Sequence, residues 1–200
     1  AVPSVAGTVL PLALQRFLAS WPDVRVDLRE MDSGGVLQAL HGERVDLGIA
    51  SAAPGASVAR RERLFSDAFG VVCHADHPLG RDEAPLRWEA LADHTLIANE
   101  LSRTIRSPAF AEIHRRARLA VHNTGSLLAM IRAGLGVAVL PRTVVRLDGS
   151  GVVFRALADG QARRSIELLH RSGAVLPAAQ AFGAELAEAV RTLRDEGSED

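Results

Sequence analysis

Residues 9–50 read VLPLALQRFLASWPDVRVDLREMDSGGVLQALHGERVDLGIA, and their periodicity decides the fold class. Val9, Leu10, Ala13, Leu14, Phe17 and Leu18 recur at helical spacing. Pro11 suits a first turn, where its missing N–H costs nothing, and Trp21-Pro22 ends the helix. Val24, Val26 and Leu28 then alternate with Arg25, Asp27 and Arg29, the pattern of a half-buried strand. Ser33-Gly34-Gly35 opens a second helix carrying Val36, Leu37 and Leu40, closed by Gly42. Val45, Leu47 and Ile49 form the next strand. Helix, strand, helix and strand with short connections predict an α/β protein with parallel strands and right-handed crossovers.

Beyond this unit, Ala52 to Ser57 is rich in Ala, Pro and Gly and reads as a loop. Ala68 to Cys73 reads as a strand, broken by Asp76-His77-Pro78-Leu79. A second α/β unit follows. Helices are expected over 86–91, 108–117 and 126–133, the last ended by Gly134. Strands are expected over 95–98, 119–121, 137–140, 152–154 and 166–169. Pro177 to Arg194 is the longest helical pattern, with Phe182, Leu186, Val190 and Leu193 on one face, and Asp195 to Asp200 reads as a polar, disordered tail.

Composition narrows the function classes. The net charge is -1, without the basic excess of a nucleic-acid-binding domain. Arginines cluster at Arg60, Arg61 and Arg63, at Arg115, Arg116 and Arg118, and at Arg163 and Arg164; acidic residues balance them, so they read as solvated faces. The single cysteine, Cys73, permits no internal disulfide and lies in an apolar run, as a buried structural thiol would. No apolar run approaches the ~18 residues that span a bilayer, and no signal peptide is visible. These features suit a cytoplasmic protein.

In open parallel sheets, ligands bind beyond the carboxyl ends of strands, at the starts of the helices that follow. Those places here are small and polar: Ser4 before the first helix, Ser33 opening the second, Ser51 after the strand ending at Ala50, Asn99 after the strand ending at Ala98, and Thr124 with Ser126 opening a helix of the second unit. Exposed N–H groups and a hydroxyl at a helix start favour an anion. Ser33 and Thr124 also read as plain N-caps, and a cap can face a cleft as well.

Residues 9–30, with Val9-Leu10-Pro11, Phe17 and Trp21-Pro22, and then Leu40 to Gly42 followed by Val45-Asp46-Leu47-Gly48-Ile49, resemble the opening of a LysR-type effector-binding domain. Asp76-His77-Pro78-Leu79 is similar to that family's hinge signature, and residues 133–141, Ala-Gly-Leu-Gly-Val-Ala-Val-Leu-Pro, to its late signature. The four segments stand in the family's order. The resemblance implies a two-lobed, periplasmic-binding-protein-like (type II) α/β fold with two crossover strands. Residues 1–72 and 166–200 would form the first lobe and 73–165 the second, with a small polar or anionic effector in the interlobe cleft. It implies cleft positions at Ser4, Ser33 and Ser51 on the first lobe and at Asn99 and Thr124 on the second, with Ser102, Arg103 and Ser126 close by. Many relatives place a cation where this sequence has the neutral Ser51, which argues against strong carboxylate binding or shifts the charge partner to Arg103. It further implies a homodimer through the sensor domains, a homotetramer of the full-length regulator, DNA contact through an N-terminal domain ahead of Ala1, and no membrane partner.

No enzyme motif competes. The seven histidines show no metal-ligand spacing, no Gly-x-Ser-x-Gly elbow occurs, and Gly134-x-Gly136 follows a helix and precedes a strand, the reverse of a dinucleotide site. The expectation is therefore a non-enzymatic sensor with no cofactor, no metal and no catalytic residue. The other readings of the same fold are a transporter's solute-binding protein, which an export signal in the upstream gene would mark, and an enzyme, which ligand turnover would reveal.

Overall fold

A computed structural model describes residues 1–51, 58, 60–146, 150–173 and 176–196, with side chains to residue 193. The expected loop over 52–57 lies outside the described residues. The chain forms two compact units, one from Ala1–Ser66 with Ser165–Asp200, the other from Asp67–Arg164.

In the first unit, α1 (Pro3–Ala6), α2 (Leu10–Ser20), α3 (Ser33–His41) and α7 (Pro177–Glu196) surround β1 (Leu47–Ala50). The start of β2 (Arg60–His74) and the end of β7 (Arg163–His170) also belong to this unit. The helical periodicity of residues 9–18 buries Val9, Leu10, Ala13 and Phe17, and the first three share a core with Ile166, Leu168 and Leu186. α2 packs on α7, where Phe17 meets Phe182 edge-on at 5.4 Å. β1 pairs antiparallel with β7, from Leu47 opposite His170 to Ala50 opposite Glu167. The tail expectation is corrected in part, since Asp195 and Glu196 still belong to α7.

In the second unit, β2 pairs antiparallel with β5 (Ala138–Pro141) and with β6 (Val152–Ala156). β3 (Ile97–Ala98) and β4 (Leu119–Ala120) pair in parallel beside α4 (Pro108–Arg115), α5 (Thr124–Arg132) and α6 (Arg142–Val145). Val71, Cys73, Val137 and Val139 enter one buried cluster while Val72, Ala138 and Leu140 enter another. Both faces of this sheet are covered, which is why residues 69–73 and 137–140 read as continuous apolar runs.

Three expectations need correction. Residues 24–29 are not assigned as a strand; near them Arg29 C=O accepts from the Ala1 amine and Met31 N–H donates to Ala1 C=O. Among the described residues, parallel pairing is seen for β3 with β4 and for two isolated bridges, while β1 takes the returning strand β7 as an antiparallel partner. The expected helix over 86–91 is a 3-10 turn over Trp88–Leu91, preceded by a bridge from Leu86 to Leu157.

The glycine pair has a structural reason. Gly134 adopts φ 74° at the turn after α5, where a side chain is strained. A Cβ on Gly136 would stand 2.4 Å from Thr95 C=O, across the bond that Val137 N–H donates to it.

Candidate functional site

In the first unit, Asp32 caps α3: its carboxylate accepts from Gly35 N–H at 2.6 Å. Ser33 is therefore the first helical residue and not the cap, which corrects that reading. Its hydroxyl instead accepts from Ser51 N–H at 3.2 Å, so two of the expected cleft residues meet directly. Ser4 lies inside the short helix α1 and not before it, 1% exposed, with Thr8 Oγ1 donating to its carbonyl at 2.5 Å.

The second unit repeats the capping arrangement. Asn123 caps α5 by accepting from Ser126 N–H at 3.0 Å, leaving Thr124 as the first helical residue and Ser126 with an exposed side chain. In both helices a shorter-range acceptor sits one position ahead of the residue singled out from sequence. The Ser33 and Thr124 hydroxyls are thereby released from capping.

Asn99 and Ser102 are buried and interlocked. Asn99 Nδ2 donates to Val139 C=O at 3.3 Å, its Oδ1 accepts from Ser102 N–H at 3.1 Å, and Ser102 Oγ donates to Asn99 C=O at 3.0 Å. Their first role is to shape the turn beyond β3. Arg103 is paired with Glu100 at 3.1 Å, and the same carboxylate stands 3.6 Å from His122 Nδ1. Asn99, Ser102 and Arg103 line a cavity of about 480 Å³ together with Glu100, His114 and His122. Thr124 and Ser126 are not among its lining residues. Glu100, His114 and His122 were not singled out from sequence. His122 had a signal, since it directly follows the strand expected over 119–121, as Asn99 follows the one expected over 95–98; His114, on the last turn of α4, had none.

Among the described residues, no three His, Cys, Asp or Glu side chains group closely enough to hold a metal ion. Cys73 is fully buried, and burial pushes its thiol up against the opposing pull of Arg155, which disfavours a thiolate. His74 and His77 each accept a nearby backbone N–H through Nδ1, from Asp76 and Leu79. His170 is buried, 2.8 Å from Glu62. Among the described residues no helix is long and apolar enough to cross a membrane.

Residues 1–191 match the LysR substrate binding domain family. The Transcriptional activator protein LysR of Escherichia coli (strain K12) is 29% identical over 192 residues, covering 92% of this chain and 61% of that protein. The chain thus spans about three-fifths of that curated relative's length. Among solved structures, the CcmR regulatory domain of Synechocystis PCC6803 in complex with 2-PG superposes with a TM-score of 0.81 at 20% identity, over 95% of this chain and 94% of that one. The effector binding domain of QuiR in complex with shikimate gives 0.76 at 18% identity, over 96% and 94%. These likenesses show the fold, a two-lobed α/β architecture of the periplasmic-binding-protein-like type.

Proposed function

The chain belongs to the LysR substrate-binding-domain family, and from that premise we propose that it is the effector-sensing part of a transcriptional regulator. The observation that carries this reading is the family match over nearly the whole chain, with small polar residues at helix starts in both units. The effector is a small polar or anionic metabolite. Ser33, Ser51 and Ser4 serve it from the first unit; Thr124, Ser126 and the turn of Asn99, Ser102 and Arg103 serve it from the second. Arg103 is its charge partner, which requires the effector to compete with Glu100. Uncovering that exposed pair costs little, since surface ion pairs contribute about 0–1 kcal/mol.

The regulator of which this domain is a part acts in the cytoplasm, performs no catalysis, and contacts DNA through a separate domain. The sensor domains pair as an isologous homodimer through the first-unit helix α3 and the second-unit helix α4 or α5. Sedimentation at micromolar concentration checks the pairing: a dimer is expected, and a monomer at all concentrations would assign dimer contacts to another part of the regulator.

A thermal-shift panel of small carboxylates and phosphate esters, including the 2-PG and shikimate bound by CcmR and QuiR, tests the sensor reading. Binding to the native state raises stability by RT ln(1 + [L]/Kd), about 2.7 kcal/mol at a hundredfold excess over Kd. At least one anion is expected to raise the melting temperature saturably. A flat response across the panel would reject this effector class.

A further inference from the structure

The cavity of about 480 Å³ in the second unit, beside the turn that leaves β3, has the size of a small-molecule site. Its charges come as a pair and not as one sign. Arg103 Nη1 donates to both carboxylate oxygens of Glu100 at 3.1 Å. His122 Nδ1 stands 3.6 Å from the same carboxylate. Arg115 also lines the cavity, but its guanidinium is paired with Glu112, which is not among the lining residues. Hydrogen bonds from Arg115 and then Arg116 hold the Glu112 carboxyl below its usual range. One cation and one anion, Arg103 and Glu100, thus line the cavity bound to each other.

The uncharged lining offers both hydrogen-bonding roles as well. Ser102 Oγ spends its hydrogen on Asn99 C=O, so that oxygen can now only accept. Asn99 Nδ2 spends one of its two hydrogens on Val139 C=O and keeps the other to donate. Both side chains belong to buried residues, where an unused polar group is costly. His114 Nε2 is buried and has no hydrogen-bond partner among the described residues, a vacancy that a bound molecule would fill. Ile105 and Phe110 supply apolar wall.

We propose that this cavity selects a zwitterion, an α-amino acid with a small aliphatic side chain, and that Glu100 is the residue that sets this specificity. The proposal rests on the sensing role given above and names the class of molecule sensed. A plain anion at Arg103 must displace Glu100 and then sit beside it, two like charges in close proximity. A zwitterion exchanges both partners at once. Its carboxylate takes Arg103 and the remaining Asn99 hydrogen, and its ammonium takes Glu100 and Ser102 Oγ. Neither charge of the protein is stranded, and the charge of the cavity is unchanged. The stranded Glu100 is the repulsive element that rejects an acid lacking the amine. Ile105 and Phe110 receive the aliphatic side chain.

Calorimetric titration tests this with L-alanine, L-valine and L-leucine, each beside the acid that lacks only the amine: propionate, isovalerate and isocaproate. At least one amino acid is expected to bind the unaltered chain about tenfold or more tighter than its matching acid, the effect of one charge-assisted hydrogen bond. Glu100→Gln keeps the shape and removes the charge, so it should weaken the amino acid, strengthen the acid and bring the two within about threefold. Arg103→Gln should weaken both about tenfold or more. Side chains as exposed as these, 40% for Glu100 and 66% for Arg103, can be replaced with the melting temperature preserved. Acids that bind the unaltered chain as tightly as the amino acids would overturn the proposal and leave an anion sensor in place. A preference that survives Glu100→Gln would overturn it too, by assigning the ammonium to another group. Failure of both sets to bind would also overturn it; a phosphate ester or other anion that then binds would preserve the sensing role, and none would remove both.

Discussion

At the scale of single residues, one charge pair departs most from what the sequence suggested. Arg164 reads as part of a solvated basic face, yet its side chain is 3% exposed and that of Asp67 is 2%. Asp67 Oδ2 accepts from Arg164 Nη2 at 2.9 Å and from Thr143 Oγ1 at 2.6 Å. Burial pulls the guanidinium below its ordinary value and Asp67 opposes that pull. The partner lies 97 residues away, so no local period could reveal it. Breaking one side of a buried pair strands the other charge, so Asp67→Asn or Arg164→Met should each cost about 3–5 kcal/mol in urea unfolding. The double variant should cost clearly less than their sum; strict additivity would show that the pair is not coupled. His77 gives a pH effect. Its pKa lies below the ordinary 6.5 because of burial first and then the charges of His94 and His74; its ring is 4.8 Å from His94. A histidine with a lowered folded pKa leaves the unfolded chain holding more protons below 6.5. Its contribution to stability is therefore present above pH 6.5 and lost as pH falls toward the folded value. His77→Asn keeps an acceptor for Leu79 N–H and should flatten this loss when urea midpoints at about pH 7.5 and about pH 5 are compared. An unchanged slope would remove His77 as its source.

At the scale of elements, most helices and the apolar strands were legible, because burial on one face or both leaves a period. α2, α3, α4, α5 and α7 all overlap the spans expected from their spacing. Two things were not legible. Residues 24–29 have the right alternation, but a strand also needs a partner, and alternation cannot supply one. The N-caps of α3 and α5 were displaced by one residue, because Asp32-Ser33 and Asn123-Thr124 each offer two adjacent capping candidates and only geometry chooses. That choice is testable. Asp32→Ala and Asn123→Ala should each cost about 1 kcal/mol of stability. Thr124→Ala should stay within about 0.5 kcal/mol, and Ser33→Ala should cost about 0.5–1 kcal/mol through the N–H of Ser51. Thermal unfolding of the four variants decides it; a larger loss at Thr124 than at Asn123 would restore Thr124 as the cap.

At the scale of the whole molecule, the fold could be read because four separated segments, from Val9-Leu10-Pro11 to residues 133–141, stand in one family's order. The family match over residues 1–191 includes all four. The site was less legible. Sequence could mark polar residues at helix starts, but not that Asn99 and Ser102 would use their hydrogen-bonding groups on each other, nor that Glu100 would hold Arg103. The central claim is that effector binding draws on helix starts of both units. Calorimetric titration of the unaltered chain, Ser33→Ala and Thr124→Ala with the anion identified by thermal shift tests it most directly. The account predicts that each variant stays folded and loses about 5–10-fold in affinity, the equivalent of about 1–1.4 kcal/mol for one hydrogen bond. Affinity equal to the unaltered chain in both folded variants would contradict it.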